Sequence, residues 1–145
     1  MNDIYRLFLA VFTLMVSIHT MAAKAENGPG FKTPSNNIFC IIVRPQNDPI
    51  SYLRCDIVRF NSPIPEKPGD CDLDWGDAFL IPQNGDIGIR ICHGDTAKDS
   101  DMSILSYGRM WKQGAFTCKS QLDGLTCTNP KGHGFLLSRS LQRLF

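Results

Sequence analysis

The sequence predicts an all-β fold, a small antiparallel β-barrel or sandwich of about seven short strands stapled by three disulfides. Short runs rich in apolar and β-branched residues recur along the chain, separated by clusters of Gly, Pro, Asn and Asp. Six cysteines form an even set that suits pairing in an oxidising compartment. No helical period of useful length appears, except that Leu137, Leu141 and Leu144 have the spacing of a terminal helical turn.

Residues 1–25 read as a signal peptide. Arg6 precedes the apolar run Leu7 to Ile18, shorter than the roughly 20 residues a membrane span needs. Ala23-Lys24-Ala25 places small residues before Glu26, so cleavage is expected after Ala25. The first cysteine is Cys40, leaving none at the cleavage point to carry a lipid, and no stable membrane anchor is expected. Residues 26–30 form a polar, flexible lead-in, and residues 31–145 a single disulfide-rich β domain.

Strands are expected at Ile38 to Arg44, Tyr52 to Arg59, Ala78 to Ile81, Ile87 to Cys92, Ala115 to Lys119, Leu125 to Asn129 and Gly134 to Ser138. Asn61 to Gly69 is excluded as a ladder strand, because its prolines lack the backbone donor. His93 to Ser103, rich in Asp, Gly, Ser and Thr, reads as a long loop.

Hairpin geometry pairs the cysteines. Setting Cys118 opposite Cys127 brings Thr117 against Thr128 and Ser120 against Leu125, with Gln121 to Gly124 as the loop. Setting Cys40 opposite Cys55 brings Ile38 against Ile57 and Ile42 against Leu53, with both prolines of the intervening segment in the loop. One face of that hairpin then carries Ile38, Cys40, Ile42, Leu53, Cys55 and Ile57, an apolar set. Cys71 with Cys92 follows by elimination. Zinc is the competing use of the thiols, but neither a Cys-x-x-Cys nor a helical His pair is present.

Lys and Arg number 15 against 14 Asp and Glu, and loss of Arg6, Lys24 and Asp3 with the leader makes the net charge zero. That balance, without basic blocks, excludes a general nucleic-acid binder. No motif calls for a cofactor.

Four groups of residues are candidates for chemistry. His133, between Gly132 and Gly134, would be accessible as a general base; a turn histidine that fixes its loop fits the same pattern. His93 with Asp95 could orient an imidazole toward a hydroxyl such as Ser35, Thr96 or Ser103, although no Gly-x-Ser-x-Gly is present. Asp70, Asp72 and Asp74 alternate as calcium ligands would, but Trp75 and Ile81 break an EF-hand pattern, and a solvated acidic stretch explains them equally. Tyr107, Arg109 and Trp111 would make an aromatic and cationic binding platform if exposed together; large aromatics also serve as core.

Two segments carry a family likeness. Phe31-Lys32-Thr33-Pro34-Ser35-Asn36-Asn37-Ile38-Phe39-Cys40, followed by Arg54-Cys55-Asp56-Ile57, resembles the opening of a bacterial family of small exported cysteine-rich domains with no assigned function. Gly124 to Phe135 with Leu137-Ser138-Arg139 is similar to its closing segment, with Cys92 to Thr96 and Tyr107-Gly108 between. Asn36 stands where that family usually has Gly, and Asn tolerates the left-handed backbone such a turn needs. The resemblance implies export and a compact fold but no catalytic residues.

The expected function is a non-enzymatic, periplasmic or secreted binding module, inhibitor-like in character, for a protein or glycan of the cell envelope. A small hydrolase using His133 or His93 and a structural envelope protein are the rival expectations.

Overall fold

A computed structural model describes residues 29–145; the expected signal peptide and most of the lead-in lie outside them. The first sheet contains β1 (Gly30–Lys32), β2 (Ile38–Val43), β3 (Tyr52–Ile57), β4 (Ala78–Pro82) and β5 (Ile89–Arg90). The second contains β6 (Met110–Gln113), β7 (Phe116–Gln121), β8 (Gly124–Thr128), β9 (Gly134–Leu137) and β10 (Gln142–Leu144). Both sheets are antiparallel and run in chain order, so each is a meander built from local hairpins.

The fold is therefore all-β, with ten strands in place of about seven, and the two sheets do not close into a barrel. Gly30, expected at the end of a flexible lead-in, opens β1 opposite Ile41. The expected helical turn is absent among the described residues. Leu137 ends β9, and Ser138 and Leu141 bond backbone to backbone across a tight turn that returns the chain as β10. Pairing with β9 gives this segment a ladder partner, which outweighs the leucine spacing.

The central hairpins form as the alternation requires. Cys40 faces Cys55, Ile38 faces Ile57 and Ile42 faces Leu53, while Thr117 faces Thr128 and Cys118 faces Cys127. Gln121 and Gly124 also pair, shortening the second loop to Leu122-Asp123. All three disulfides are present, Cys40 with Cys55, Cys71 with Cys92 and Cys118 with Cys127, and no described cysteine is free. Both hairpin disulfides join directly opposed residues whose Cα atoms are 4.1 Å apart, the close approach of a non-hydrogen-bonded pair.

One core unites the sheets. Phe31, Leu53, Ile57, Phe79 and Ile81 from the first meet Trp111, Phe116, Leu125, Phe135 and Leu137 from the second. Phe31 and Trp111 lie 5.0 Å apart between ring centroids, and Phe79 and Phe135 6.0 Å, both tilted as aromatic quadrupoles prefer. The two hairpin disulfides meet in the middle, where the sulfurs of Cys40, Cys55 and Cys127 lie within 4.8 Å of one another.

The outer face of the first sheet is also covered. Phe39, Arg54, Asp56 and Ala78 are buried there, and the segment 93–97 folds over Arg54 and Asp56. A second strap, Ser103 to Leu105, closes the edge of β1: Lys32 N donates to Ser103 O, and Leu105 N donates to Lys32 O, both at 2.9 Å.

Candidate functional site

Three places in the fold gather polar side chains: the strap over the first sheet, the turn after β8, and the opposite end of the molecule.

Under the strap, alternation along β3 turns Leu53, Cys55 and Ile57 toward the core and Arg54 and Asp56 away from it. Arg54, 7% exposed, grips Asp56 with two donors, Nε to Oδ1 at 2.8 Å and Nη2 to Oδ2 at 3.1 Å. It also reaches Asp95, donating to the carboxylate at 2.5 Å and to the backbone carbonyl at 2.7 Å. Asp56 Oδ2 further accepts from Ala97 N at 2.7 Å and Thr96 Oγ1 at 3.2 Å. A buried charge needs this many partners, since a carboxylate without them would be neutralised.

His93 completes the cluster. Its Nδ1 lies 2.6 Å from the Asp95 carbonyl oxygen and its Nε2 2.8 Å from Asp77 Oδ1. Both oxygens accept only, so the ring satisfies both in its doubly protonated form. Burial opposes that charge and is the largest single influence. Bonds to Asp77 and the Asp95 carbonyl, with the fields of Asp77 and Asp56, outweigh it and raise the pKa above the ordinary value. Arg54 holds the Asp95 carboxyl below the usual carboxylate range, chiefly through its hydrogen bond. His93 and Asp95 thus come together, but through the Asp95 backbone, and Thr96 spends its hydroxyl on Asp56. Neither ring nitrogen is left to activate a nucleophile.

His133 belongs to a different device. Asn129, 5% exposed, donates from Nδ2 to Pro82 O at 3.0 Å and Gly85 O at 2.8 Å. Its Oδ1 accepts from Lys131 N at 3.0 Å and His133 N at 3.1 Å. All four capacities of the amide are used to tie the turn after β8 to the turn after β4. The glycines flanking His133 serve the backbone: Gly132 has φ +83°, and a side chain on Gly134 would strike the Cys127 carbonyl. The His133 ring is half-buried, and no described hydroxyl or carboxylate hydrogen-bonds to it.

The aromatic platform does not assemble. Trp111 is 2% exposed and packs on Phe31, because its position on β6 points inward opposite Cys118. Tyr107 and Arg109 remain exposed on the preceding segment. Nor do Asp70, Asp72 and Asp74 converge as cation ligands. Among the described residues, the one trio of ligand-type side chains within 4.8 Å is Cys40, Cys55 and Cys127, whose sulfurs are in disulfides.

Tyr107 instead lines a groove of about 510 Å³ at the end of the molecule remote from His133. Its walls are the turn from Thr33 to Ile38, the β7–β8 turn from Gln121 to Gly124 and the β9–β10 turn from Ser138 to Ser140. The volume is in the range of small-ligand sites. Asn36, in the turn that carries Ser35 and Asn37 into the first wall, has φ +51°, the one non-glycine residue with positive φ among those described, so the left-handed turn expected there is made. Leu122, at the hairpin tip, lines the groove and is 87% exposed.

A second depression of about 240 Å³, lined by Arg59, Phe60, Asn61 and Arg139, shares Arg139 with the groove. The Asn37 side chain and one backbone bond fix this junction. Asn37 exchanges two 2.9 Å hydrogen bonds with the Arg59 backbone, and Asn61 N donates to Arg139 O at 2.8 Å.

Fold and site together define a disulfide-framed all-β domain with an open groove at one end, the His93 ring locked between Asp77 and the Asp95 carbonyl, and His133 held through its backbone N–H. The three disulfides suggest an oxidising extracellular environment, and among the described residues no helix is long and apolar enough to cross a membrane. The chain belongs to the family of unknown function DUF6636, whose model matches residues 10–145. No curated protein and no solved structure matches it.

Proposed function

We propose that the protein is an exported, non-enzymatic binding module, periplasmic or secreted, that takes a component of the cell envelope in the groove beside Tyr107. The observation that carries this reading is the groove itself. It brings an exposed tyrosine, an almost fully exposed leucine and a guanidinium to one concave surface built from three separate turns. A leucine so exposed at a hairpin tip does nothing for the core. The leader-like segment and the three disulfides support export. Against a hydrolase stand the engaged ring nitrogens of His93 and, at His133, a ring to which no described hydroxyl or carboxylate hydrogen-bonds.

The test is retention of envelope components on immobilised oxidised protein. A Tyr107→Ala, Leu122→Asp double variant is expected to lose a component that the parent and His133→Ala both retain. Equal retention by the double variant would remove the groove from consideration. No retention by any version favours a structural role, and substrate turnover abolished by His133→Ala or His93→Ala would favour the hydrolase.

A further inference from the structure

We propose that the ligand of this groove is an otherwise neutral sugar chain carrying one acidic group, which is held between Arg59 and Arg139. This deepens the binding reading above and rests on it.

The charge argument is local. The protein as a whole is nearly neutral, so clustered cations are not a bulk property of its surface. Arg59 and Arg139 nevertheless line one depression of about 240 Å³. Among the described residues, no carboxylate oxygen lies within 4.0 Å of either guanidinium, whereas Arg54 and Lys131 do have such partners. Two guanidinium forks without a carboxylate partner among the described residues, lining one depression and carried by segments that the Asn61 N to Arg139 O bond joins, are suited to a carboxylate or phosphate arriving from outside.

The rest of the groove selects for what bears that acid. Arg139 is common to the depression and the larger groove, so a ligand anchored there continues toward Tyr107. Along that path the Ser140 hydroxyl, the Gln121 amide and the Tyr107 hydroxyl have no side-chain hydrogen-bond partner among the described residues, and Tyr107 is 40% exposed. Short neutral polar groups around an accessible ring match the alternating hydroxyls and apolar faces of a saccharide. An acidic peptide would call for further cations along its length, but the other ionisable group lining the groove is Asp123, which accepts from hydroxyls and repels a second acid.

Calorimetric titration of the purified oxidised protein tests this with four probes of matched length: a neutral sugar oligomer ending in one hexuronate, the same oligomer ending in one sugar phosphate, the wholly neutral oligomer, and a peptide with one acidic residue. One or both anionic sugars should bind, and comparing them identifies the acid. An Arg59→Gln, Arg139→Gln variant should bind that sugar about tenfold or more weakly and lose most of the salt dependence. Both arginines are exposed, so the variant should melt with the parent. Equal binding of the neutral oligomer, with no effect of the double substitution, overturns the anionic assignment while leaving the groove reading intact. Equal binding of the peptide overturns the saccharide assignment, and binding of none of the sugars overturns the whole inference. If a sugar binds but Tyr107→Ala leaves its affinity unchanged, the groove reading itself falls.

Discussion

Replacing Asn129 by alanine should be among the most damaging single substitutions outside the apolar core. The side chain makes four hydrogen bonds to backbone groups, two given to Pro82 O and Gly85 O and two accepted from Lys131 N and His133 N. At roughly 1 kcal/mol net for each bond, removal costs about 4 kcal/mol. For a domain of this size that corresponds to a melting temperature lower by about 15 °C. Thermal and urea unfolding of the oxidised protein measure both quantities. The companion variant Asn129→Asp sharpens the test, since it keeps the shape and the two acceptor contacts but sets carboxylate oxygen against two carbonyls. It should be at least as unstable as the alanine variant. A loss below about 1 kcal/mol in both variants would refute the idea that this amide ties the two turns together.

Other expectations follow from the same geometry. Arg54→Leu leaves Asp56 buried with only Thr96 and Ala97 as partners and should cost about 3 kcal/mol or more, read by urea unfolding. His93 has its folded-state pKa raised above the ordinary 6.5, so its contribution is complete below about pH 6.5 and is lost as pH rises through the folded-state value. Unfolding free energy should therefore decline from pH 6 toward pH 8 by a component that His93→Gln removes; an unchanged profile in the variant would contradict this. Cys118→Ser and Cys127→Ser should each cost about 2–5 kcal/mol, and the pair together little more than either, because both break one link. Leu122→Asp, at the exposed hairpin tip, should leave stability within about 0.5 kcal/mol in the same unfolding assay.

Hairpin register was legible in the sequence because its determinants are local. Cys40 and Cys55 could be set opposite each other from the apolar residues two positions away on each strand, and the loop prolines agreed. The Cys118–Cys127 pairing follows from the same kind of information, and Cys71 with Cys92 from elimination once the two hairpins are set. Strands β6 and β10 were not legible. Met110-Trp111-Lys112-Gln113 alternates like a strand, but its tryptophan reads equally well as surface aromatic until Cys118 is seen opposite it. Leu141 and Leu144 have helical spacing, and only the partner strand β9 decides against it. Arg54 could have been flagged, since alternation sets it with Asp56 on the face opposite Leu53 and Cys55. The groove could not have been found this way, because residues as far apart as Ser35, Tyr107 and Arg139 meet only after both meanders pack.

The sheets never exchange strands, and this has a consequence for how the molecule could be divided. Residues up to Cys92 contain the first sheet with two closed disulfide rings, residues from Met110 the second sheet with the third, and no bridge crosses between them. A single protease cut near Asp99 would therefore yield two fragments joined by nothing covalent, each carrying its own completed rings. Their reassociation would report on the shared apolar interface together with the backbone bonds from Lys32 to Ser103 and Leu105, making this fold a natural candidate for a split reporter.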